Sequence, residues 1–185
     1  MRELQTPVTS GSSKKRLEKV TGSQYDLLRD LTETGTLDAI GLQAAVDEIA
    51  KDRLEMAHGF LRAAETLAKN KNPMVRRSAV SRAYYGAYQA ARATVLSVHH
   101  RDEHDHERLG KEIESIKGMP GSADVELKEL RRLRNEFDYS PYPGKDPGTL
   151  YDARTTEVMI KGSLQTAARL VRAFEKRLEQ RERTS

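Results

Sequence analysis

Cysteine is missing from the 185 residues, which excludes a disulfide framework, a thiolate nucleophile and any zinc site built on sulfur. Also missing is an apolar run of membrane-spanning length: Arg, Lys, Asp or Glu interrupts every long hydrophobic segment, and no secretory signal pattern is visible. No segment shows the alternation of a half-buried strand, and there is no internal repeat. The expectation is a soluble, cytoplasmic protein without membrane contact, long enough for one domain with its own core.

A surplus of one charge sign is nearly absent as well. Net charge is +4, and residues 1–23 hold five basic against two acidic side chains, so +3 of the excess sits there. A diffuse basic balance therefore gives no argument for nucleic acid; only a local patch can. Residues 1–23 are rich in Ser, Thr, Gly, Lys and Arg and read as a flexible basic arm. It is either merely solvated or polyanion-binding, and it precedes a single helical domain over 24–183.

What the chain does have is helical periodicity. A short amphipathic helix is predicted over Ser23–Thr34, stopped by Gly35. A long one runs from Asp38 to about Lys69, with Leu42, Val46, Ile49, Met56, Phe60, Ala64 and Leu67 in its packing stripe. Asn70-Lys71-Asn72-Pro73 breaks it, and the next helix, Met74–His99, packs mostly alanines together with Tyr84 and Tyr88. Those tyrosines read as core, with base stacking as the alternative. Arg108–Lys117 is a short helix, Ser122 looks like the cap of one ending near Asp138 or Tyr139, and Ala153–Arg181 carries the last stripe from Val158 to Leu178. The fold class is an all-α, up-and-down bundle of four to six helices.

Two stretches bear on function. Residues 99–107 hold four of the five histidines. His104 and His106 flank Asp105 there, yet no other segment offers a completing ligand, so a solvated loop whose Asp105 or His106 starts the next helix is preferred to a metal site. The second stretch is Arg131–Tyr142. Leu127, Leu130 and Phe137 share one helix face, and position 134 falls in the same stripe. Arg134 occupies it. A guanidinium keeps its charge at any working pH, so it needs an anion: Asp138, four residues on, or a ligand's phosphate. Asn135 beside it either orients a phosphate or sugar, or bridges helices.

Ser81-Arg82-Ala83-Tyr84-Tyr85-Gly86-Ala87-Tyr88 and Arg134-Asn135-Glu136-Phe137-Asp138-Tyr139 together resemble the HEPN family of small helical bundles found in bacterial toxin–antitoxin and defence systems. The first looks like that family's Ser-x-Ala-Tyr-Tyr-x-Ala-aromatic helix, the second like its Arg-polar-x3–5-His signature. Over about 38–178, the resemblance implies a homodimer that brings two Arg segments together. It also implies RNA cleavage without metal or cofactor in active members, and a nucleotidyltransferase or defence-complex protein as partner, with Tyr139 or Tyr142 as a modifiable hydroxyl. Arg134, Asp138, Tyr142, His104 and His106 are the candidate RNA or anion ligands; Arg134, Asn135 and Tyr139 are the candidate catalytic set.

The signature departs from the family at one position, because no histidine follows Arg134 in the chain. Metal-free RNA cleavage requires a base for the 2′-hydroxyl, an acid for the leaving oxygen and a cation for the phosphorane charge. Arginine fits the third role. A phenol with an ordinary pKa of ~10 is ionised only about one part in a thousand at pH 7, a deficit of ~4 kcal/mol as a base. The expected function is therefore an RNA-associated or protein-interaction dimer with weak or no catalysis. The rivals are an endoribonuclease using Arg134, Asn135 and Tyr139, with His104 or His106 supplied by the loop, and a purely structural partner.

Overall fold

The computed structural model describes residues 29–31, 33–35, 39–140 and 153–182, and five helices of ten residues or more follow one another in them. They are α1 (Ala39–Ala68), α2 (Pro73–His99), α3 (His106–Ser115), α4 (Ala123–Tyr139) and α5 (Ala153–Glu182). No strand occurs among the described residues. Residues 29–31 and 33 are helical and 34–35 form a turn, within and just after the expected short N-terminal helix; residues 23–28 and 32, the basic arm and Tyr142 lie outside the described residues.

Local chemistry accounts for the helix ends. Asn72 accepts a hydrogen bond from Met74 N at 2.9 Å while Pro73, which has no N–H to leave unpaired, takes the first helical position of α2. At the other end His100 adopts left-handed backbone (φ 56°) and its N–H closes on Leu96 O. Ser122 holds the N-cap position of α4, but its hydroxyl donates to Glu126 Oε1 at 2.7 Å and caps no backbone N–H. That corrects the capping role expected from sequence.

α2 is the central helix, packed against α1, α4 and α5 and touching α3. Its small face makes this possible: Ala83, Ala87, Ala90 and Ala91 are fully buried with Ala57 and Ala64 of α1. At Gly86 the approach is closest, since a Cβ would stand 3.1 Å from Leu61 Cδ2 and 3.2 Å from the Ala57 carbonyl oxygen. Tyr84, Leu109, Ile113, Leu127, Leu130, Leu170, Val171 and Phe174 complete the main core. Met56 and Val158, expected inward, are instead about half and two-thirds exposed. Ala57 and Ile160 point in beside them, so the buried stripes lie slightly round from the apolar register.

A smaller cluster fixes the end of α4. Ala79, Val80, Leu133, Phe137 and Ile160 pack together, and Arg77 on α2 donates from one Nη to both Phe137 O and Ser140 O at 2.6 Å. Both carbonyls belong to the helix end, where the intrahelical N–H donors run out. With Leu130, Leu133 and Phe137 turned inward, the outward faces of α4 carry Arg131, Arg134, Asn135, Asp138 and Tyr139.

Candidate functional site

Arg134 is largely occupied by its own neighbourhood. Its side chain is 19 % exposed, and Nε lies 3.1 Å from Asp138 Oδ2, an ion contact whose direction leaves the Nε–H without a hydrogen bond. One Nη donates to Asn135 Oδ1 and the other to the Tyr85 hydroxyl, both at 2.8 Å. The guanidinium also lies 5.4 Å from the Tyr85 ring centre and 4.9 Å from that of Tyr139. Burial works against its charge, but Tyr85, Tyr139 and Asp138 more than offset this and raise its pKa above the ordinary arginine value.

Arg131, one turn earlier, is the contrasting case. It is half-buried yet makes no hydrogen bond or ion pair with any described residue. It lines an open groove of about 540 Å³ between α3 and α4, together with His106, Lys111, Lys128, Arg132 and Asn135, and Glu107 as the acid. Lys128 and Arg132 are partly neutralised, by Asp124 at 3.0 Å and by Glu129 and Glu136 at 2.8 Å. Arg131 and Lys111 are the cations this groove leaves to a ligand. Sequence reasoning passed over both. Spacing supplied one usable signal: Arg131 is four residues before Asn135 and so on the same face.

His106 reaches the groove because the preceding loop is fastened at several points. Asp102 receives Arg53 Nη at 2.7 Å and Arg92 Nε at 3.0 Å, with a second Arg92 contact, so one buried carboxylate ties α1, α2 and the loop together. The Tyr88 hydroxyl donates to His104 O at 2.7 Å. Asp105 Oδ1 then accepts from Glu107 N and Arg108 N, both at 2.9 Å, and these two bonds hold its carboxyl below the usual range. His106 thereby becomes the first residue of α3.

The ring of His106 lies 4.6 Å from that of Tyr88, and its Nδ1 is hydrogen-bonded to the Tyr84 hydroxyl. Burial raises the pKa of both phenols, so each stays protonated. Burial, and after it the charges of Arg131 and Arg134, push the His106 imidazole below its ordinary value despite Asp105. A neutral imidazole carries one ring proton, and which nitrogen holds it sets the direction of the Tyr84 contact. Tyr84 thus anchors the ring through Nδ1 and leaves Nε2 as its second polar atom.

Of the residues singled out from sequence, Arg134, Asn135, Asp138 and Tyr139 come together on α4, and His106 joins Asn135 in the groove. His104 contributes only its backbone oxygen to these contacts and its side chain is exposed. Among the described residues no three His, Asp or Glu side chains converge to hold a metal, and no helix is long and apolar enough to cross a membrane. The family model of the HEPN domain matches residues 50–178, well over half of the chain. No curated protein and no solved structure matches it.

Proposed function

Because the chain belongs to the HEPN domain family, we propose that it works as an RNA-associated homodimer of a toxin–antitoxin or defence module, binding phosphates in the α3–α4 groove and cleaving weakly or not at all. Arg131 supports this reading: a half-buried guanidinium with no hydrogen bond or ion pair among the described residues, beside Lys111, Asn135 and the His106 imidazole, suits a phosphodiester. Arg134 is held by Asp138, Tyr85 and Asn135 and would have to give up those contacts to act on a phosphorane. That supports binding over catalysis.

The test is RNA binding and cleavage in EDTA with the wild type, Arg131→Ala and Arg134→Ala. Expected are RNA binding, little or no cleavage, and a salt dependence whose slope falls by about 0.7 in Arg131→Ala, the contribution of one phosphate on a single strand. Absence of RNA binding, or an unchanged slope, overturns the reading.

One observation favours a second reading. His106, contributed by a different helix, lines the groove together with Arg131, and no histidine follows Arg134 in the sequence. An endoribonuclease would use the neutral His106 as the base that takes the 2′-hydroxyl proton, Arg131 for the phosphorane charge, and water to protonate the leaving oxygen. Cleavage in EDTA that disappears in both His106→Ala and Arg131→Ala would favour the enzyme.

A further inference from the structure

A second concavity lies further along the same helix. About 350 Å³ of open space between the start of α2 and the end of α4 is walled by Met74 and Tyr139, with Arg77, Ser78, Asp138 and Ser140 around it. Its volume is at the small end for ligand sites. Both walls are unusually open for apolar side chains: Met74 is 65 % exposed and Tyr139 is 70 % exposed.

Tyr139 is not a loose surface ring. The Arg134 guanidinium lies against it at 4.9 Å from the ring centre, and that guanidinium is held by Tyr85 and Asp138. A planar cation thus backs the phenol while most of the side chain stays in water. Exposed aromatic rings next to a cationic track are what unpaired bases stack on, because every base has a π-face. Asp138 and Ser78 add an acceptor and a hydroxyl at the edge of the same space.

The two concavities are in register. Arg131 and Asn135 line the basic groove, and Asp138 and Tyr139, three and four residues beyond Asn135, line the cleft. At 1.5 Å per residue, Asn135 and Tyr139 are about 6 Å apart along the axis, a separation one nucleotide can span.

We infer that the cleft between Met74 and Tyr139 takes an unpaired nucleobase, stacked on Tyr139, from the RNA strand whose phosphates occupy the Arg131 groove. The inference rests on the RNA-binding reading above and adds a base subsite to it, which only an unpaired strand can fill. Tyr139 is then a stacking surface, and its hydroxyl is dispensable.

The chain contains no tryptophan, so Tyr139→Trp places a single indole reporter in the cleft. The experiment titrates the wild type, Tyr139→Trp, Tyr139→Phe and Tyr139→Ala with labelled oligoadenylate, and with its duplex with oligouridylate, reading anisotropy and, for Tyr139→Trp, indole emission. Thermal melts check that the exposed substitutions leave the fold intact. Expected are single-strand binding stronger than duplex binding, unchanged affinity in Tyr139→Phe, a loss of about tenfold in Tyr139→Ala, and quenching of the indole by the single strand. If RNA binds but Tyr139→Ala is neutral, the indole is not quenched, or Tyr139→Phe loses as much as Tyr139→Ala, the stacking site is overturned and the groove reading stands. If no RNA binds, both fall together.

Discussion

The hydroxyl of Tyr84, buried in the middle of α2, is hydrogen-bonded to Nδ1 of His106, the first residue of α3. Core packing and the candidate site therefore meet in one contact. The tyrosine fills the centre of the bundle and at the same time anchors the imidazole through Nδ1.

Tyr84→Phe keeps the ring and removes the hydroxyl. The half-buried Nδ1 of His106 then loses its partner, at a cost of about 1 kcal/mol. Chemical denaturation should register that loss. The proton-detected nitrogen spectrum of His106 should change from a single fixed tautomer to a mixture. An unchanged tautomer ratio would mean that the hydroxyl does not set it.

Stability should depend on pH through the same ring. The pKa of His106 is lowered from 6.5, first by burial and next by Arg131 and Arg134, with Asp105 opposing and Arg92 adding to the depression. A depressed histidine binds its proton later in the folded protein than in the unfolded chain, so below pH 6.5 the unfolded state takes up more protons and stability falls as pH falls. Above that value the effect is fully absent. Denaturation midpoints measured across pH 7.5 to 5, values chosen to bracket the ordinary histidine range, should decline less steeply in His106→Gln. His100, also lowered mainly by burial, keeps part of the slope in that variant.

Asp102 should be a sensitive carboxylate. It is 10 % exposed and faces Arg53 and Arg92, which are 8 % and 15 % exposed. Removing one member of a buried ionic cluster leaves the others desolvated and uncompensated, so Asp102→Ala should cost about 3 kcal/mol. Because Asp102 also fastens the loop before α3, amide exchange of residues 103–107 should accelerate beyond that of α1. Uniform acceleration would reduce its role to global stability.

The helices were legible because periodicity reports burial directly: Met74–His99 from pattern became Pro73–His99, and Arg108–Lys117 became His106–Ser115. Met56 and Val158 went astray because an apolar residue in register need not face the core when the contact is made by alanines, as at Ala57. The Arg134–Asp138 pair was legible as an i,i+4 spacing. Arg131 was not. In a run with Arg132 and Arg134, only three-dimensional surroundings reveal which guanidinium lacks a carboxylate, and the approach of His106 depends on a loop anchored by Asp102, Tyr88 and Asp105 from distant parts of the chain.

The two arginines of α4 should separate in mutational behaviour. Arg134→Ala removes the Asp138 contact, the Tyr85 hydrogen bond and the packing between the Tyr85 and Tyr139 rings, and should lower stability by about 1–2 kcal/mol. In a double-mutant cycle with Asp138→Ala the coupling should be about 0.5 kcal/mol, since both side chains are partly in water and i,i+4 pairs are weak. Arg131→Ala breaks no internal hydrogen bond or ion pair among the described residues, so its stability should stay within about 0.5 kcal/mol of the wild type while its RNA affinity falls. The reverse pattern, a destabilised Arg131→Ala with intact affinity and a stable Arg134→Ala without it, would move the anion site one helical turn along α4.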